Sequence, residues 1–233
     1  MSFIPRDDRG SVRYRTDWLW RKDYSPCIRA RLRASDVATF AAFRNIPEMK
    51  LTQYQIAVVV GSLRKESLNR KLAHAITKLA PKEFSFHDVE ISDLPLYNQD
   101  HDANPAPSVK RLKLEIAAAQ GVIFVTPEYN RSIPGVLKNA IDHASRPYGQ
   151  SAWIGKPAGL LGASIGAIGT AVAQQELRNV LAYLDMPTLG QPEVFIHAKE
   201  GMFDEAGDIN ADSAKFLQTW MNRYVDWVKK HAL

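Results

Sequence analysis

The decapeptide GSLRKESLNR, residues 61–70, gathers hydrogen-bond donors and charge directly after the apolar run IAVVV and directly before a helical spacing of apolar residues. Ser62, Ser67 and Asn69 supply neutral donors, and Arg64 supplies a guanidinium for a charge-assisted contact. A loop that runs from a strand into a helix also presents unpaired backbone N–H groups and the positive end of the helix dipole. The chemistry of that combination is the binding of an anion, phosphate above all. Neither G-x-x-x-x-G-K-[ST] nor G-x-G-x-x-G occurs, so triphosphate and dinucleotide cradles are excluded. A plainer reading competes: Ser67 caps a helix, and Arg64 and Lys65 are surface charges.

A second segment, TPEYNRSIPG at residues 126–135, carries a different potential. Pro127 and Pro134 stiffen its ends, Tyr129 offers an aromatic wall, and Asn130 tolerates the left-handed backbone of tight turns. A rigid polar backbone edge beside an aromatic ring suits a flat heterocycle with donors and acceptors along its rim. The alternative is an ordinary strand-to-helix turn with Ser132 as the cap. A third segment, GASIGAIGT, has glycines that let backbone approach a ligand or a neighbouring subunit, although helix packing explains Gly166 and Gly169 equally well.

These segments need elements to hold them. From residue 53 onward apolar strands alternate with helical periods: QYQIAVVV, FSFHDVEI, GVIFVT, PAGLLGAS and PEVFIH read as strands. Between and after them, SLNRKLAHAITKLA, SVKRLKLEIAAAQ, IPGVLKNAIDHAS, TAVAQQELRNVLAYLD and DSAKFLQTWMNRYVDWVKKH read as helices. Nearly continuous apolar strands in βα alternation predict an α/β fold with a parallel sheet covered on both faces. Five strands predict a flavodoxin-like three-layer sandwich of order 2-1-3-4-5, in which ligands bind at the carboxyl ends of the strands beside the switch point. The three segments follow the first, third and fourth strands, where that rule places a site.

Composition sets the frame around this core. The chain has 233 residues, 45% of them apolar, and its longest charge-free stretch, between Lys156 and Glu176, is broken by four glycines. No membrane span is expected, and one cysteine, Cys27, leaves neither an internal disulfide nor a thiolate metal cluster; a reducing, cytoplasmic setting follows. The net charge of +5 resides in residues 1–50, with 11 Lys and Arg against 6 Asp and Glu; the remainder is neutral. Residues 1–48 are therefore read as an Arg-rich extension, irregular and poorly ordered, ahead of a domain at 49–233; the natural start could be Met49. Interleaved Arg, Trp and Tyr also allow a nucleic-acid or partner-binding arm, and six acidic residues count against a transit peptide. The neutral core makes nucleic acid an unexpected partner.

With DLPLYNQD at residues 93–100 between them, the segments GSLRKESLNR and TPEYNRSIPGVLKNAID resemble the NADPH-dependent FMN reductase family, which includes quinone, azo and chromate reductases. The resemblance begins near residue 54 and leaves residues 1–48 aside. It implies an FMN whose phosphate is held by Ser62, Arg64, Ser67 and Asn69. It further implies that Pro127, Glu128, Tyr129 and Asn130 border the isoalloxazine ring, through backbone as much as side chain, and that Ser164 lies near the flavin. NADPH or NADH would reduce the flavin, and a quinone, free flavin, azo compound or metal oxyanion such as chromate would reoxidise it. A backbone N–H from the Tyr129–Asn130 region would stabilise charge on the reduced ring, and no side chain would serve as nucleophile or metal ligand. Homodimers or homotetramers are implied as well.

Two positions depart from the family pattern. Glu66 puts a carboxylate close to the phosphate segment where a small residue is usual, and His143 replaces a tryptophan and reads as a half-buried packing residue. Phe216, Trp220, Tyr224 and Trp227 read as the core stripe of the last helix. Two other functions compete with a reductase. A flavodoxin-type electron carrier would lack a pyridine-nucleotide site and is usually acidic, unlike this neutral core. A regulatory module would act through the basic arm.

Overall fold

Backbone pairing in the computed structural model follows the alternation in the sequence, and residues 53–204 and 207–232 are described. The elements are β1 (Tyr54–Val60), α1 (Leu68–Thr77), β2 (Phe84–Asp88), a 3-10 turn (Gln99–His101), α2 (Pro107–Ala118) and β3 (Gly121–Val125). They continue with α3 (Gly135–Ala144), β4 (Ala158–Ser164), α4 (Ala171–Tyr183), β5 (Phe195–His197) and α5 (Ala211–His231). The five strands are parallel in the order β2-β1-β3-β4-β5, which is the flavodoxin-like arrangement.

Residue parity along the strands sorts the core into two layers. Ile56, Val58 and Val60 of β1 join Ile123, Val125, Leu161 and Ala163 against α1 and α5. Ala57 and Val59 join Val122, Phe124, Ala158 and Leu160 against α2, α3 and α4. Helices on both faces explain why the strands read as unbroken apolar runs.

The last helix corrects one expectation. Trp220 and Tyr224 are buried and stack with ring centroids 5.2 Å apart, and Gly159 makes room for them: a Cβ there would lie 2.7 Å from both side chains. Phe216, however, is 41% exposed, and Leu217 takes the inward place, with Met221, Val225 and Val228 completing the stripe. A helix of 21 residues turns its buried face slowly, so a row spaced by four drifts outward at one end. β5 is also shorter than PEVFIH suggests; Pro192 has no N–H to donate, and pairing begins in earnest at Phe195.

No helix among the described residues is long and apolar enough to cross a membrane. The expected extension at residues 1–48 lies outside the described residues.

Candidate active site

Register brings the three segments together. Val60 pairs with Val125 and Val125 with Leu161, so β1, β3 and β4 end side by side at the β1/β3 switch point. The pairing runs past the strands: the Gly61 N–H donates to the Val125 carbonyl at 2.9 Å and the Thr126 N–H to Leu161 at 3.0 Å. Gly162 sits among them, where a Cβ would lie 2.2 Å from the Thr126 carbonyl oxygen and 2.2 Å from Thr170 Oγ1. Any larger residue would push the loops after β3 and β4 apart.

In the first segment the plain and the functional readings of Ser67 coexist. Its Oγ accepts the Arg70 N–H at 3.2 Å, capping α1, which still leaves the hydroxyl hydrogen to donate. The N–H groups of Leu68 and Asn69, in the first turn of α1, have no partner among the described residues. Ser62 is buried, and Arg64 is exposed. Glu66 turns to Lys71, 3.5 Å away, with its side chain 79% exposed. That contact removes the objection raised by its sequence position, because the carboxylate is drawn toward a cation on the helix surface.

Asn69 has a task the sequence does not disclose. Its Nδ2 donates to the Ala163 carbonyl and its Oδ1 accepts the Ala163 N–H, both at 2.9 Å, in a buried contact with β4. One Nδ2 hydrogen remains uncommitted. The side chain therefore ties the start of α1 to the strand that leads into Ser164.

The second segment forms a small hairpin. Tyr129 and Ser132 bridge in antiparallel fashion, the Tyr129 N–H donating at 2.9 Å and the Ser132 N–H at 3.0 Å. Both residues between them have left-handed backbone, Asn130 at φ 52° and Arg131 at φ 70°, as a type I′ turn requires. Asn takes that conformation readily, whereas arginine there costs about 1–2 kcal/mol. Because the Tyr129 N–H is spent inside the hairpin, the N–H groups in this turn without a partner among the described residues are those of Asn130 and Arg131. Tyr129 itself is 47% exposed. Ser132 does not cap α3; Pro134 stands at that position without a side-chain bond.

Glu128 also reaches across. Its Oε2 accepts the N–H groups of Val172 at 3.0 Å and Ala173 at 3.1 Å, so a carboxylate from the β3 loop caps α4, whose own Thr170 makes no side-chain cap. Its Oε1 lies 3.6 Å from the Arg131 guanidinium. No sequence rule for caps looks 44 residues upstream, so this contact was not legible.

In the third segment Ser164 is half-buried, and its Oγ accepts the Gly166 N–H at 3.1 Å. Beyond it the loop is exposed, with Ile165 and Ile168 on the surface. Leu63, Tyr129 and Val172 are exposed as well, so apolar side chains from all three segments rim this edge of the sheet.

The residue substituted at position 143 packs, as expected, though more deeply: His143 is buried, its Nε2 sits 2.8 Å from the Pro95 carbonyl, and its ring meets Tyr97 edge to face. It lines a cavity of about 330 Å³ with Pro95, His101, Asp102, Lys113 and Arg146, none of which belongs to the three segments. Burial lowers the pKa of Lys113 there, but its ammonium is held by the carbonyls of Arg146 and Gln150, a structural clamp.

Comparison with known proteins bears on the family and the fold. Residues 54–201 match the family described as NADPH-dependent FMN reductase. A 2-hydroxy-1,4-benzoquinone reductase from Burkholderia sp is 54% identical over 176 residues, covering 75% of this chain and 96% of the relative. A quinone reductase from Pseudomonas putida is 51% identical over 177 residues, covering 76% and 95% respectively. Among solved structures, FerB, a flavoenzyme NAD(P)H:(acceptor) oxidoreductase from Paracoccus denitrificans, superposes with a TM-score of 0.75 at 46% identity, covering 77% of this chain and all of that one.

Proposed function

The chain belongs to the NADPH-dependent FMN reductase family, and from that premise we propose that it binds FMN at the three-segment edge and uses it to carry electrons from NAD(P)H to a quinone. The observation that carries this reading is the start of α1: two first-turn N–H groups without partners among the described residues, the buried Ser62, the hydroxyl hydrogen of Ser67 and an exposed Arg64, with Glu66 drawn off by Lys71. Such a donor set matches a dianionic monophosphate.

Ser62, Arg64, Ser67 and the spare Nδ2 hydrogen of Asn69 would hold the phosphate. Pro127, Glu128, Tyr129, Asn130 and Ser164 would flank the ring, Pro127 stiffening the approach and the Asn130 N–H serving as the backbone donor that the hairpin leaves open. When bound, FMN supplies two-electron chemistry: a hydride is taken from NAD(P)H, which leaves as NAD(P)+, and the pair of electrons passes with two protons, one from solvent, to a quinone that leaves as hydroquinone. The chain contributes orientation and electrostatics. The apolar rim of Leu63, Tyr129, Ile165 and Ile168 supports a flat organic acceptor, a quinone, free flavin or azo compound, over a hydrated oxyanion such as chromate. Either NADPH or NADH would serve as donor.

The same reading takes residues 49–233 as the FMN-binding reductase domain, residues 1–48 as an appendage, the assembly as a homodimer or homotetramer and the setting as cytoplasmic. Exposed Leu96 and Tyr148 offer apolar surface for a second copy.

Riboflavin lacks the phosphate and separates the two halves of the site. Titration of the flavin-free chain, followed by quenching of flavin fluorescence, is expected to give FMN an affinity about a hundredfold above that of riboflavin. Equal affinities would remove the phosphate from α1.

A further inference from the structure

Unpaired positive charge gathers at a cavity outside the three segments. It encloses about 330 Å³ between the turn after β2, the start of α2 and the end of α3, which is the low end of small-molecule sites at about 300–1,000 Å³. Pro95, Pro105, Ala106, Val109 and Pro147 give it apolar walls. Its charged groups are unevenly committed. Asp102 accepts the Tyr97 hydroxyl at 3.3 Å, and Lys113 spends two of its three N–H donors on the carbonyls of Arg146 and Gln150. Arg146 is different. Its backbone is engaged, the carbonyl by Lys113 and the N–H by the His143 carbonyl, yet the residue is half-buried and its guanidinium has no partner among the described residues. The start of α2 adds to this: Ala106 makes no side-chain cap, Pro107 has no N–H, and the Ser108 N–H has no partner among the described residues.

Apart from its histidines, the cavity is lined by two cations and one carboxylate, so one positive charge is left over. A half-buried arginine without a counter-ion, set among apolar walls beside the positive end of a helix, calls for an anion with an apolar body. We propose that this cavity binds a small aromatic monocarboxylate, its ring among the prolines and its carboxylate paired with the Arg146 guanidinium. A single carboxylate balances the charge, and the planar guanidinium can meet both of its oxygens with parallel N–H donors. The volume has room for one ring. No residue of the proposed flavin site takes part, so the two readings stand or fall separately.

Benzoate and benzamide share a shape and differ in charge, which makes them the probes. Binding of each to the full chain is followed by ligand-observed NMR titration, with and without FMN, and repeated in Arg146→Gln. That change strands no partner, so the variant is expected to fold as the parent does. The parent should bind benzoate about tenfold more tightly than benzamide, and the variant should lose about tenfold for benzoate while holding benzamide as before. FMN should alter none of these values. Equal affinities for the two probes in the parent, a preference for benzoate that survives in the variant, or no binding at all would overturn the proposal. Binding that appears only with FMN would place the probe on the flavin and would overturn it as well.

Discussion

Arg64 is exposed and stands at the phosphate end of the proposed site, remote in chemical role from the ring. Its replacement by alanine is expected to weaken FMN about tenfold while leaving riboflavin affinity and the rate of hydride transfer at saturating FMN unchanged. Paired titrations of the two flavins check this, and an unaltered FMN affinity would take Arg64 out of the site. Residue types told much at this scale and side-chain direction told little. Ser67 was legible both as a cap and as a donor, and the structure supports the cap with a hydroxyl hydrogen to spare. Asn69 looked like one more donor to the same ligand, yet both its polar atoms bond Ala163, a partner 94 residues away that no local pattern announces. Glu66 looked obstructive until Lys71, one turn further along, drew it outward.

Between elements, the cap that Glu128 places on α4 carries the most consequence. It joins the turn after β3 to the loop after β4, the two segments proposed to flank the ring, and it sets a carboxylate against a helix N-terminus, where dipole and unpaired N–H groups both favour it. Glu128→Ala should lower stability to urea by about 1 kcal/mol and alter the visible absorption of bound FMN, with Glu128→Gln recovering part of both because it keeps an acceptor. Unchanged stability in the alanine variant would mean that the cap contributes nothing. Strand and helix existence was legible throughout, since apolar runs and 3.6-residue spacing are local signals. Ends were less so: β5 lost its first residues to Pro192, and the stripe on α5 shifted from Phe216 to Leu217, because which turn of a long helix faces the sheet depends on packing at a distance.

At the scale of the whole molecule, three buried side-chain atoms lack a hydrogen-bond partner among the described residues, Gln174 Oε1, Arg178 Nε and the Tyr224 hydroxyl, and the last bears on stability at high pH. The Tyr224 hydroxyl is fully buried with no hydrogen-bond partner among the described residues, stacked on Trp220 beneath the sheet. Burial holds its phenol well above the ordinary value of 10.0. The unfolded chain releases that proton first, so stability is intact below about pH 10 and falls as the pH rises further. Tyr224→Phe removes an unsatisfied hydroxyl; it should raise stability at neutral pH by about 1 kcal/mol and soften the alkaline loss, as chemical denaturation at pH 7 and above pH 10 would reveal. A less stable phenylalanine variant at pH 7 would show that the hydroxyl has a partner after all.

The sheet order was readable because parallel strands with intervening helices leave few right-handed arrangements. The location of the proposed site is read from that order, through the switch-point rule. What stayed hidden were contacts that cross between loops, those of Asn69 and Glu128, and the strain at Arg131, which a sequence shows only as an arginine where a hairpin favours glycine.

The central claim is that this edge holds an FMN which NAD(P)H reduces. Anaerobic stopped-flow absorbance of the FMN-loaded chain, mixed with NADPH and separately with NADH, tests it most directly. Rapid bleaching of the flavin band, followed by its return when a quinone is added, is the predicted result. Bound FMN that neither nucleotide reduces, or a chain that retains no FMN, would contradict it.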